Sequence, residues 1–317
     1  MEHFHKKILT VLNSMMPGDF AAALKRHKNI GIDWLDLKDG IFGKDLLSLS
    51  LKEVQKAKQE IDKQNLNVFC LSSTLFGEDV EKGEEYFRQQ HLEKVSLLIE
   101  RARIFEPYFV RLLSAKASAR PFPSDLMDYL NQSHPWILPC YDQAVEKIDE
   151  AGFRVTIENE VGPNLFSSAA DILQFFQSLS SADRLSLTWD VQNLWQAGTF
   201  PALSVFQALK PLVTYVHIKG GIADKGSRKL LYKSALADAS WPVKEILNEV
   251  FQTKQVLAVC LNPSHGEKMP GVDYGATLEK DLEFIRTNFA QFFTGSLKGT
   301  PGDGSQGLKA VRAGKVL

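Results

Sequence analysis

Tyr215-Val216-His217-Ile218-Lys219-Gly220 is the stretch around which the rest of the chain is organised. It reads as a buried strand whose polar residues arrive only as it ends, which is where an active site sits in a closed barrel of parallel strands. Two earlier stretches end the same way: Val155-Thr156-Ile157-Glu158-Asn159-Glu160 and Leu185-Ser186-Leu187-Thr188-Trp189-Asp190. Each passes from an apolar or β-branched run to a carboxylate and then to loop. A Glu, an Asp and a His at strand ends close in sequence form a candidate divalent-metal site.

Outward from these stretches the chain alternates between two periods. Lys7 to Leu12 reads as the first strand, Pro17-Gly18-Asp19 as a turn capping a helix from Phe20 to about His27, and Ile32 to Leu37 as the second strand. Ser50 and Glu53 form a capping box ahead of a helix whose inner face carries Leu51, Val54, Ala57 and Ile61. Leu66 to Leu71 is the third strand. One long helical pattern follows through Tyr86, Leu92 and Ile99 to Ala102, and Tyr108 to Leu113 is the fourth strand, carrying Arg111. Ser118 to Asn131 is expected to form a loop and short helix over the mouth, and a helix from Trp136 to Ala151 stops at Gly152. Phe153 to Glu158, Leu185 to Asp190, Val213 to Ile218 and Gln255 to Leu261 complete the strands, with helices at Ser168 to Leu179, after Pro201, and from Val243 to Phe251. Eight strands alternating with helices predict an α/β fold, a (β/α)8 TIM barrel. A doubly wound open sheet is disfavoured because no strand opens into a glycine-rich phosphate turn. Residues 1–294 are expected to form the single barrel domain, and 295–317, rich in glycine, a flexible tail.

Composition narrows the class further. The 317 residues carry 37 Lys and Arg against 38 Asp and Glu, so no overall field recruits nucleic acid or an anionic membrane. The charged N-terminus lacks a signal-peptide core and no apolar run reaches the length of a membrane span, which predicts a cytoplasmic protein. Cys70, Cys140 and Cys260 are odd in number and lack C-x-x-C spacing, so they read as small core residues. Apart from His217, the histidines (His3, His5, His27, His91, His134, His265) read as ordinary surface residues.

With these residues in order, the chain resembles the xylose isomerase-like superfamily, in particular its sugar phosphate isomerase/epimerase branch. The matching motifs are Val110-Arg111, Ile157-Glu158-Asn159, Trp189-Asp190-Val191-Gln192-Asn193 and Val216-His217-Ile218-Lys219, spread over most of the first 290 residues. The resemblance implies a metal held by Glu158, Asp190, His217 and a residue closing the eighth strand. At that last place the family commonly has Glu-Pro-His and this chain has Asn262-Pro263-Ser264; the family's Asp-x-x-His on the sixth strand is here Asp190-Val191-Gln192-Asn193. Both changes remove a titratable group, though an amide oxygen still binds a hard cation. Homodimers are usual in the superfamily, so a homodimer is expected.

Moving hydrogen between adjacent sugar carbons requires a base to take a proton and a cation to stabilise the enediolate oxygen. Oxygen-rich ligation by Glu158, Asp190, His217 and Asn262 favours Mn²⁺ or Mg²⁺. Glu158 or Glu160 is the candidate base. Lys219, two residues past His217 and on the same face, is a candidate to charge-stabilise the enediolate or a phosphate, and Arg111 and Asn193 are candidate substrate contacts. The expected activity is isomerisation or epimerisation of a small sugar, sugar phosphate or polyol. The alternative, motivated by Asn262 and Asn193, is a sugar-binding or regulatory protein on the same scaffold. Plainer roles compete at several positions: an ion pair with Arg111 for Glu158, helix capping for Asp190 and a solvated loop charge for Glu160. Asp36 and Lys38 on the second strand point to one face, where substrate contact and a plain salt bridge are both open. Trp195 and Phe76 are candidates for an apolar wall beside the sugar.

Overall fold

The computed structural model describes residues 6–16, 18–121, 124–263 and 273–293. Eight parallel strands close into a barrel: β1 (Ile8–Leu12), β2 (Trp34–Leu37), β3 (Asn67–Ser72), β4 (Phe109–Leu113), β5 (Arg154–Glu158), β6 (Leu185–Asp190), β7 (Val213–Ile218) and β10 (Ala258–Leu261). β10 pairs with both β7 and β1, which leaves the barrel no open edge. The expected (β/α)8 barrel is therefore the observed fold. The expected tail at 295–317, the 294/295 boundary, and His3, His5, His265, Pro17 and Ser264 lie outside the described residues.

Local signals explain why the elements start where they do. Asp19 caps the helix Phe20–Asn29 by accepting from the Ala22 N–H. Ser50 and Glu53 make the capping box of Leu51–Lys63, with Val54, Ala57 and Ile61 turned to the core. Gly152 adopts φ +87° after Ile137–Glu150, a conformation that strains residues with a Cβ. The strands are buried on both faces, by helices outside and by inward side chains in the barrel.

Three departures from the sequence reading matter. The long helix expected up to Ala102 is broken into Glu84–Phe87, a π-turn at Arg88–Leu92 and Val95–Phe105. The π-turn brings His91 under the loop after β3, where its Nδ1 accepts from the Phe76 N–H at 3.1 Å and its ring stacks on Phe76. The histidines expected at the surface, His27, His91 and His134, are buried: His27 and His91 lie on helix faces that point inward, and His134, just past the helix Leu126–Ser133, is covered where its Nε2 meets Tyr129 and Glu81. Finally, an antiparallel hairpin of β8 (Ile222–Ala223) and β9 (Leu230–Tyr232) follows β7. Its return limb packs so closely on Gly220 that a Cβ there would collide with the Ser234 and Ala235 carbonyls.

Candidate active site

Register sets the site. Asp190 ends β6 directly opposite His217 on β7, and Glu158 ends β5 opposite Leu113 and Thr188. The strand ends thus deliver two carboxylates and an imidazole to one point, and all three side chains are almost wholly buried. His217 Nδ1 lies 2.9 Å from Glu158 Oε1 and 3.9 Å from Asp190 Oδ2. One ligand atom from each of Glu158, Asp190 and His217 lies within 4.8 Å of the others.

A third carboxylate reaches His217 from across the barrel. Asp36 on β2 approaches Nε2 at 3.0 Å, and it also accepts from Tyr215 Oη at 2.9 Å and from the Ser72 hydroxyl. A bulge in the β2–β3 register falls between Leu35 and Asp36, immediately before this carboxylate. Asp36 is thus engaged by His217, Tyr215 and Ser72, while Lys38, buried on the same strand face, lies within reach of the charges of Arg111, Glu160 and Glu158. The shared strand face marks Asp36 for substrate contact or a salt bridge; its contact with His217, made across the barrel, was not foreseen.

Opposed effects set the electrostatics. Burial pulls His217 down, but Glu158 and Asp36 outweigh it and raise its pKa to about 9. Burial pushes Glu158 up, yet Arg111 and His217 hold it well below the usual carboxylate range. Arg111, itself buried, donates to Glu158 Oε2 and to the Ser73 carbonyl. Both roles expected of Glu158 are therefore geometrically compatible: Oε2 faces Arg111 and Oε1 faces His217. Glu160, half-buried just past β5, has its pKa raised by burial and then by Glu158. Lys38 is lowered by burial and by Arg111.

The outer layer is held by amides. Asp190 caps the helix Val191–Gln196, its Oδ1 accepting from the Gln192 and Asn193 N–H groups, so the capping role expected of it is real. Lys219 Nζ lies 2.7 Å from Asp190 Oδ2 and donates to Asn193 Oδ1 at 2.8 Å. Asn193 Nδ2 donates to the Asn159 carbonyl, so both ends of this amide are used within the protein. Asn262 follows Leu261, which registers with Ile218, and so stands opposite Lys219. Of the two expected wall aromatics, Trp195 is tied by its indole N–H to the Arg228 carbonyl of the hairpin. Phe76 packs among Phe87, His91 and Tyr141, whose rings fix it in the helical layer.

The donor set fits a divalent cation by a direct criterion. Asn262 Oδ1 is a buried acceptor without a hydrogen-bond partner, which costs about 1–3 kcal/mol. Asp190 Oδ2 and His217 Nδ1 also lack a well-aligned hydrogen bond and are faced by the Lys219 ammonium and the Glu158 carboxylate, so all three atoms turn toward one charged point. Two carboxylates, an imidazole and an amide oxygen form a donor set that can hold a divalent cation. Cys260 lies within reach of Asp36 and His217 on the opposite side of the imidazole. Burial and the Asp36 charge raise its thiol well above its ordinary value, which keeps it protonated and a poor ligand.

No protein-family model and no curated relative matches the chain by sequence. Solved structures match it in fold. A xylose isomerase-like TIM barrel protein from Mycobacterium smegmatis in complex with magnesium aligns with a TM-score of 0.64 at 15% identity, covering 89% of this chain and 96% of that one. The IOLI protein with a bound zinc atom aligns at 0.70 and 9% identity, covering 91% and 100%. The 3-keto-D-glucoside 4-epimerase of E. coli aligns at 0.62 and 15% identity, covering 89% and 100%. The chain therefore has the fold of xylose isomerase-like TIM barrel proteins. Among the described residues no helix is long and apolar enough to cross a membrane.

Proposed function

We propose that the protein is a divalent-metal-dependent sugar isomerase that moves one proton on one face of a small ketose or aldose. The observation that carries this reading is the split between two neighbouring carboxylates: Arg111 and His217 hold Glu158 low, while burial and Glu158 itself push Glu160 up. Pairs whose environments drive their pKa values apart mark the division of roles in an active site. Glu158, with Asp190, His217 and Asn262, holds Mn²⁺ or Mg²⁺. Glu160, its carboxyl raised by burial and by Glu158, takes the proton from the hydroxyl-bearing carbon beside the carbonyl, exchanges it with solvent and delivers a proton to the former carbonyl carbon on the same face, while the hydroxyl proton passes from one oxygen to the other. The bound ion supplies positive charge to the substrate's carbonyl and hydroxyl oxygens. Lys219 and Arg111 add fixed positive charge near the oxygen where negative charge develops, and the closed layer of Asn159, Asn193 and Gln192 keeps bulk water from the strand ends.

Isomerisation is favoured over epimerisation because Asn262, at the close of β10, has no proton to give or take. Inverting a carbon requires proton exchange on both faces, whereas aldose–ketose exchange runs with one base. Sugar epimerases such as the E. coli 3-keto-D-glucoside 4-epimerase share the barrel, which supports a sugar as the substrate class. Assaying a panel of aldoses and ketoses, with Mn²⁺ content measured for wild type and Asp190→Ala, tests the reading. Turnover and bound ion are expected in wild type and neither in the variant; equal, negligible ion in both refutes metal dependence.

One observation favours a second reading, a sugar-binding protein on the same scaffold. Arg111 is already paired with Glu158, and Lys219 already faces Asp190. Stabilisation by a sugar, with no turnover of any member of the panel, selects it.

A further inference from the structure

We propose that Lys219 is the built-in occupant of the cation position, and that a divalent ion reaches Asp190 only by displacing the Lys219 ammonium onto Asn193. The proposal rests on the reading that Glu158, Asp190 and His217 hold the ion. Asp190 has one oxygen to offer. Its Oδ1 is committed to the Gln192 and Asn193 N–H groups at 3.1 and 2.9 Å, so only Oδ2 faces His217 and Glu158. Lys219 Nζ stands 2.7 Å from that same Oδ2, and the side chain is 1% exposed, so the ammonium is shielded from water that would weaken its hold. Two cations thus claim one oxygen.

Glu158 shows no such conflict. Arg111 takes Oε2 and leaves Oε1 toward His217. The quality of the two Lys219 contacts indicates where the ammonium goes. Its approach to Asp190 is a charge contact, since Oδ2 accepts no hydrogen bond, whereas its 2.8 Å bond to Asn193 Oδ1 is well formed. Asn193 therefore retains the ammonium when Asp190 is given up. A histidine at position 193, as in the resembled family, would compete for the same carboxylate instead of holding a neutral acceptor for the lysine. Displacement has a cost, so affinity for the ion is set by Lys219 as well as by the ligands.

The test measures Mn²⁺ affinity by calorimetry and the Mn²⁺-induced rise in Tm for wild type, Lys219→Met, Lys219→Gln, Lys219→Arg and Asp190→Ala. Lys219→Gln keeps hydrogen-bonding capacity without charge and covers the case in which Lys219→Met fails to fold. Both neutral variants are expected to bind Mn²⁺ at least about tenfold more tightly than wild type and to show the larger Tm rise. Lys219→Arg is expected to stay near wild type, and Asp190→Ala to lose binding. Equal affinity in wild type and the neutral variants, with loss in Asp190→Ala, overturns the displacement and leaves the ion site standing. Absence of binding in every protein overturns the ion site and the proposal with it.

Discussion

Two buried lysines sit at opposite ends of this barrel, and they are used differently. Lys7, at the foot, donates to the Thr253 and Val256 carbonyls at 2.7 and 2.6 Å and ties the start of β1 to the segment that leads into β10. Lys219, at the mouth, faces a carboxylate that has another use. Burial lowers the Lys7 pKa to about 8, the expected result where neutral carbonyls replace water. The foot of a TIM barrel answers to stability and the mouth to chemistry. The distinction lies in the partner: a lysine on backbone carbonyls is a clasp, and one on a carboxylate that shares a cluster with an imidazole belongs to a site.

The largest effect expected at the mouth comes from Glu158→Gln. It removes a carboxylate of the proposed ion site and leaves the Arg111 charge buried without its partner, so turnover of every substrate is expected to fall by roughly a thousandfold or more and stability by about 3 kcal/mol. Steady-state assays and urea unfolding check both; normal turnover breaks the assignment of β5 to the site. Lys7→Met supplies the contrast: loss of two charge-assisted bonds lowers stability by about 2 kcal/mol, while Mn²⁺ affinity stays unchanged. A shift in ion affinity in that variant would erase the difference between the two ends.

The pH dependence of stability separates the ends by sign. The folded pKa of His217, about 9, exceeds its ordinary 6.5, so its contribution is complete below pH 6.5 and is lost as pH rises through 9. For Lys7 the folded value of about 8 lies below 10.5, so between these values the unfolded chain binds more protons and stability rises with pH. From pH 6.5 to 8 only the His217 effect operates among these two. Metal-free protein is therefore expected to lose Tm over that interval, and His217→Gln to flatten the loss; an unchanged slope in the variant contradicts the charge assigned to this imidazole. The smallest effect is that of Asn262→Glu. A carboxylate in place of the unpartnered amide oxygen is expected to tighten Mn²⁺ by about tenfold and to raise any epimerase activity by providing a proton donor on the second face.

Much of this arrangement was legible in the sequence. β6 and β7 run over the residues that their apolar patterns marked, and Glu158, Asp190 and His217 meet because strand ends in a barrel have nowhere else to point. Capping at Asp19 and Ser50 was readable because a side-chain oxygen acts within three residues. Contacts across the barrel were not. Asp36 and His217 are joined by a closure that no local pattern reports, and a π-turn at Arg88–Leu92 looks in sequence like uninterrupted helix. The hairpin after Gly220 was hidden because strands of two and three residues carry too little periodicity to distinguish from loop. Burial of His27 and His91 follows from which helix face each occupies, and a polar residue type argues for the wrong face.

The central claim is that Glu160 moves a proton beside a cation held by Glu158, Asp190 and His217. Its most direct test is conversion of an accepted sugar in D₂O with Mn²⁺ present, followed by proton NMR at the carbon next to the carbonyl. Wild type is expected to introduce solvent deuterium there, and Glu160→Gln to bind Mn²⁺ equally well yet introduce none. Conversion by wild type with the original hydrogen fully retained, or equal deuterium uptake in both proteins, would contradict the account.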